Sequence, residues 1–149
     1  MAVCVAGLSR FEDLVAWQLC VRLGTVVFEM TASGAVSKDF EFRDHIREAA
    51  DASAPLIAEG FRRFTTAEFV RYLRMARGEL GEVQSKLIAG AEKKYFVGPE
   101  LERAQTLANR AMGTTTNLLK AKLQQLEQEQ QQKRRKRTRK PRKPRKRAP

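Results

Sequence analysis

Apolar positions recur at helical spacing in four separate stretches of this chain, and no segment alternates as a strand does. In the first, Leu14, Trp17, Val21, Gly24 and Phe28 follow one another at steps of 3, 4, 3 and 4, which predicts one stripe along a helix over 10–31. Ser9 and Glu12 precede it with the spacing of a capping box, in which hydroxyl and carboxylate satisfy orphan backbone N–H groups. A small-residue loop over 32–37 comes next. Phe42, Ile46, Ala49, Ser53, Leu56 and Gly60 then predict a second helix over 39–63. Pro55 falls inside it and predicts a kink, because proline lacks an N–H and its ring crowds the preceding turn.

Thr65 and Glu68 form a second capping box, opening a helix over 66–91. Its stripe, Phe69, Leu73, Ala76, Leu80, Val83 and Leu87, is the clearest in the chain. A glycine inside a helix costs about 1 kcal/mol against alanine, so Gly78 and Gly81, with Ser85, predict a close helix approach on a neighbouring face. A turn at Tyr95–Gly98 leads to Pro99, a residue suited to the first helical position, with Glu100 and Glu102 complementing the helix dipole. Leu101, Ala104, Ala108, Met112, Thr115, Leu119, Leu123 and Leu126 carry the fourth stripe towards a Gln/Glu-rich run that ends at residue 132. Four helices joined by short loops predict an all-α fold, an up-down-up-down antiparallel four-helix bundle. The chain divides into an N-terminal arm over 1–9, the bundle over 10–131 and a basic tail over 132–149.

Charge changes this picture only at the C-terminus. Of the 29 Lys and Arg residues, twelve stand in the last seventeen positions, which hold no acidic residue. Removing them leaves 17 basic against 17 acidic residues, so the formal charge of +12 belongs wholly to the tail. The cations are Lys133, Arg134, Arg135, Lys136, Arg137, Arg139, Lys140, Arg142, Lys143, Arg145, Lys146 and Arg147. With nothing larger than Ala or Pro to bury, and with Pro141 and Pro144 interrupting any helix, the segment predicts a disordered, extended chain. Such a chain follows a phosphate backbone and releases its counterions. No aromatic residue is interleaved, so base stacking is unavailable within it. An acidic protein is the alternative partner for the same charge.

Chemistry is sparse elsewhere. Cys4 and Cys20 fit no metal-ligand or redox spacing and read as free thiols in a reducing compartment. His45 is the sole histidine, beside Asp44, and finds no partner motif for a metal or a general base. The sequence therefore predicts no catalytic residue, metal or cofactor, and a non-enzymatic protein. The N-terminus lacks the basic start of a signal peptide, and Gln18, Arg22 and Glu29 break the longest apolar stretch. A cytoplasmic protein without a membrane partner is expected. On the third helix, Arg71, Arg74 and Arg77 share a strip beside the apolar stripe, suited to phosphate or to salt bridges within the protein or between subunits. Arg62 and Arg63 stand where they could extend it, and Arg47–Asp51 and Glu59–Arg63 are spaced as i,i+4 ion pairs.

Four segments resemble a known family: Phe11-Glu-Asp-Leu-Val-Ala-Trp-Gln18, Phe42-Arg-Asp-His-Ile-Arg-Glu-Ala-Ala50, Ile57-Ala-Glu-Gly-Phe-Arg-Arg63 and Glu68-Phe-Val-Arg-Tyr-Leu-Arg-Met-Ala-Arg-Gly-Glu-Leu80. In this order they are similar to the bacterial four-helix-bundle proteins first noticed as products of intervening sequences in large-subunit ribosomal RNA genes. The resemblance covers residues 10–126 and implies a four-helix protomer. Relatives that serve diversity-generating retroelements form barrel-like homopentamers and bind the element's reverse transcriptase and RNA. What the resemblance implies, with the tail, is a homo-oligomer binding RNA, ahead of DNA, without sequence preference, and a reverse transcriptase as possible protein partner.

Overall fold

The computed structural model describes residues 9–139. Four helices, α1 (Val15–Met30), α2 (Phe40–Arg62), α3 (Thr66–Glu92) and α4 (Gly98–Arg139), are joined by short connections, with 3₁₀ turns at Phe11–Asp13 and Val36–Lys38. Among the described residues there is no strand. Each helix packs on two others, α1 on α2 and α4, α3 on α2 and α4, closing a ring around one apolar core.

Side-chain contacts give the register. The α1 end meets the first half of α2, where Arg47 Nε donates to Thr31 Oγ1 at 2.7 Å. Tyr72 near the start of α3 reaches Glu59 near the end of α2, whereas Tyr95, after α3, donates to Asp39 before α2 at 2.8 Å. Thr66 at the start of α3 meets Glu129 late in α4, and Gln84 meets Asn109 further along.

On α3 every predicted stripe residue is buried. On α2 the stripe holds with Leu56 half-buried, and Pro55 lies on the exposed side of a helix that runs on to Arg62. On α1 the expected stripe requires correction. The core takes Ala16, Leu19, Cys20, Leu23, Val27 and Met30, whereas Val21 and Phe28 of the expected stripe are 41% and 57% exposed. This helix is apolar on more than one side, so periodicity alone cannot say which side meets the core.

The capping box expected at Ser9 and Glu12 does not form. Arg10 donates to Glu12 instead, the chain makes a 3₁₀ turn, and α1 begins at Val15 with no side-chain cap. Leu14 takes an extended backbone there and drops into the core. At Thr65 and Glu68 the threonine half of the box forms, with Glu68 N donating to Thr65 Oγ1 at 3.2 Å, whereas the carboxylate accepts from the Thr65 hydroxyl at 2.7 Å in place of the backbone N–H.

The glycines that admit close neighbours are not the expected ones. Gly78 faces open space, and a Cβ at Gly81 would meet only Met112 Cε at 3.9 Å. Gly60 instead lies under the α3 side chains: a Cβ there would stand 2.7 Å from Tyr72 Cβ and 2.8 Å from Phe69 Cδ2. Gly24 admits Asp51 in the same way.

The helix boundary at the C-terminus also differs from expectation. Helix α4 runs 42 residues to Arg139, so 132–139 is helical rather than extended. Prolonging an existing helix carries no nucleation cost, Gln, Lys and Arg are good helix formers, and cations suit a helix C-terminus. Residues 1–8, with Cys4, and 140–149, the remainder of the tail, lie outside the described residues.

Candidate nucleic-acid interface

The last apolar contact on α4 is made by Leu126, which packs against the core. Just beyond it, Glu129 Oε1 accepts from Thr66 Oγ1 at 2.7 Å and from Gln125 Nε2 at 3.0 Å, tying α4 to the first residue of α3. The Thr66 hydrogen bond, then that of Gln125, with Lys133 and Lys122 nearby, holds the Glu129 carboxyl below its ordinary value. From 130 to 139 the helix projects past the bundle by about 15 Å.

Every residue from 131 to 138 is exposed. Lys133, Arg134, Arg135, Lys136 and Arg137 are consecutive, so their charges point around the helix in all directions. Thr138 Oγ1 donates to the Arg135 carbonyl at 2.9 Å, which occupies one of the last-turn acceptors. Arg139 closes the helix. Lys140, Arg142, Lys143, Arg145, Lys146 and Arg147 lie outside the described residues.

Arg71, Arg74 and Arg77 are exposed along the outer face of α3, and none makes an ion pair among the described residues. Among the described residues, no ion pair links them to the α4 extension. Arg62 and Arg63 do not add to their strip as expected. The Arg62 guanidinium lies over the Phe11 ring at 5.2 Å, and Arg63 is bound to Glu59 and to Tyr72 Oη. The i,i+4 pair expected at Arg47 and Asp51 is replaced by bonds from Arg47 to α1, where it also covers the Phe28 ring at 4.3 Å. Glu59–Arg63 forms as expected.

His45 is exposed on α2, in a shallow depression with Glu48, Glu79 and Glu82. No group of three or more His, Cys, Asp or Glu among the described residues is arranged to hold a metal ion. Cys20 is fully buried; burial raises its thiol pKa, opposed by the nearby Ser53 and Thr115 hydroxyls. No described helix is long and apolar enough to cross a membrane.

Two surface features escaped the sequence pattern. The outer side of α1 and the adjoining side of α2 form an open apolar groove, lined by Phe11, Trp17, Val21, Phe28, Pro55 and Ala58. Phe64 stands fully exposed in the connection between α2 and α3. The only signal for the second was an aromatic residue placed directly before a capping threonine.

The segments singled out by resemblance now have a common structural role. Ile57 is a core residue, Gly60 receives Phe69 and Tyr72, and Glu59 bonds to Tyr72 and Arg63, so together they build the α2–α3 joint. The family model described as 23S rRNA-intervening sequence protein matches residues 12–117. The chain belongs to this family. As a 23S rRNA-intervening sequence protein it has the four helices expected of it, and the match ends short of the α4 extension, which begins after Leu126. No curated protein matches the chain.

Proposed function

We propose that this chain is a non-catalytic, up-down-up-down bundle that self-associates and binds RNA, ahead of DNA, through the basic end of α4. The observation that carries this reading is the run Lys133–Arg137, five consecutive exposed cations on a helix that leaves the bundle. Residues 1–132 are formally neutral, so electrostatic attraction depends on the seventeen residues that follow them, of which this run is the start. Family membership supports an RNA-related role. Arg71, Arg74 and Arg77, exposed and without ion pairs among the described residues, supply a second place for phosphate.

Self-association is supported by the α1 face. Trp17, Val21 and Phe28 line an open apolar groove between α1 and α2, and a helix apolar on two sides suits burial on both. A pentamer would gather about 60 tail cations, and avidity of that kind exceeds single-site affinity by about 10² to 10⁴. A cytoplasmic accessory subunit that holds a retroelement reverse transcriptase on its RNA is the most concrete form of this function. A reverse transcriptase gene beside a template repeat would favour it.

Filter binding of full-length protein and a 1–132 truncation to RNA tests the reading. The truncation keeps every core residue, since the last apolar contact is at Leu126. Full-length affinity falls about 10³- to 10⁵-fold between 50 and 200 mM salt if six to ten phosphates are neutralised. Equal binding by both proteins, or affinity indifferent to salt, overturns it.

A further inference from the structure

Phe64 is 104% exposed, the most exposed large apolar residue among those described. It sits in a bend over 63–65, between Arg63 (φ −74°, ψ 149°) and Thr65 (φ −117°, ψ 144°). Arg63 turns back to Glu59 and Tyr72, and Thr65 turns back to cap α3. The phenyl ring is thereby left in water.

Two other exposed phenylalanines each have a cation over one face of the ring. The Arg47 guanidinium lies over Phe28 at 4.3 Å, and that of Arg43 over Phe40 at 4.8 Å. Among the described residues, no aromatic or cationic group lies over Phe64. Thr66, two residues on, is bonded to Glu129, and Lys133 follows one turn later, about 6 Å along the α4 axis. Ring and basic helix therefore leave the bundle from the same end. Most carboxylates there are engaged: Glu12 by Arg10, Glu59 by Arg63 and Tyr72, Glu68 by Thr65, and Glu129 by Thr66 and Gln125, while Glu127 is exposed and makes no such bond among the described residues.

We infer that Phe64 and the exposed cations Lys133–Arg137 form one site for a single-stranded segment of RNA or DNA. A base stacks on the phenyl face while the adjoining phosphates lie against the α4 extension. The inference rests on the nucleic-acid reading above and adds strand selectivity to it. Cations alone attract any phosphate backbone, whereas an aromatic face contributes only where a base is unstacked. In a duplex, both faces of each internal base are already occupied.

The test compares full-length wild type, Phe64→Ala and Phe64→Trp by fluorescence anisotropy. The probes are labelled oligo(U), oligo(dT) and a blunt duplex of equal length, each over a salt series. Phe64→Ala weakens single-strand binding about 5- to 100-fold, and Phe64→Trp retains it. Duplex affinity and the salt slope stay unchanged, because the number of neutralised phosphates is the same. A loss confined to oligo(U) or to oligo(dT) supports the site and names its strand. Unaltered single-strand binding by Phe64→Ala overturns the inference, as does an equal loss on the duplex. A changed sedimentation coefficient also overturns it, by assigning Phe64 to contact between copies. If 1–132 loses binding while Phe64→Ala does not, only the stacking site fails; if the full-length chain binds no oligonucleotide, both readings fail.

Discussion

The phenol of Tyr72 donates to Oε1 of Glu59 at 2.7 Å, joining the last turn of α2 to the start of α3. Arg63, four residues after Glu59, donates to the same carboxylate and to Tyr72 Oη, so three side chains close one small network. Directly beneath it, Gly60 leaves room for Phe69 and for the Tyr72 Cβ. The joint matters beyond packing, because the connection it fixes carries Phe64 and leads into Thr66, to which α4 is tied.

Acid destabilises the fold through this joint and its counterpart at the other end. The Tyr72 hydrogen bond, then that from Arg63, holds Glu59 below its ordinary value of 4.5. Tyr95 first, then the Phe42 backbone N–H and Lys93, holds Asp39 below 3.8. With folded values lowered, the unfolded chain takes up protons first as pH falls. The stabilisation is complete above the ordinary values and disappears as pH falls through the lowered ones. Thermal melts followed by circular dichroism will show a Tm steady down to about pH 5 and declining below it. Tyr72→Phe will lower the neutral-pH Tm and flatten the acid decline; an unchanged acid slope in that variant contradicts the assignment to Glu59.

Glycine substitutions at Gly60 and Gly78 will have opposite signs. Gly60→Ala forces Phe69 and Tyr72 aside and costs about 1–3 kcal/mol. Gly78→Ala meets open space on an exposed helix face and stabilises by about 0.5–1 kcal/mol, through the lower backbone entropy of the unfolded chain. Urea midpoints moving the same way in both variants would refute a register in which α3 packs over Gly60 and leaves Gly78 open.

The core polar contacts around Cys20 predict a shape-neutral replacement. Thr115 Oγ1 is buried without a hydrogen-bond partner among the described residues, against a thiol that offers only weak bonding. Thr115→Val removes that polar atom at constant shape and will be neutral or stabilising by about 1 kcal/mol in chemical denaturation. A loss of more than about 1 kcal/mol would mean that the hydroxyl is bonded after all.

The α4 extension can be broken without touching the bundle. Arg135→Pro removes a backbone donor and crowds the carbonyl of residue 131, beyond the last apolar contact at Leu126 and beyond the Glu129–Thr66 bond. Far-UV circular dichroism will report fewer helical residues, while the Tm remains that of wild type. A large fall in Tm would show that the extension packs on something.

The outer face of α1 predicts the behaviour of a charged variant. Phe28 is 57% exposed, so Phe28→Glu leaves the folded protomer intact while placing a carboxylate beside Val21 on the apolar face. Sedimentation velocity will show a smaller species than wild type, with an unchanged far-UV spectrum. The same assembly size in both proteins rules this face out as the contact.

Local patterns were sufficient for most of the helical framework. The α3 stripe, the Thr65 cap, the Glu59–Arg63 pair and the concentration of charge after residue 132 depend on neighbours within a turn or two, and each can be read from the chain. Tertiary structure decided what local pattern leaves degenerate. Helix α1 is apolar on two sides, and only the positions of α2 and α4 determined that Leu19, Leu23 and Val27 turn inward while Val21 and Phe28 turn out. Arg47 chose Thr31 over Asp51 because α1 came within its reach. Composition alone made the whole tail appear extended; attachment to an existing helix made Lys133–Arg137 part of α4. Phe64 lies far from that basic run in sequence, and only the Thr66–Glu129 contact brings the two to one end of the bundle.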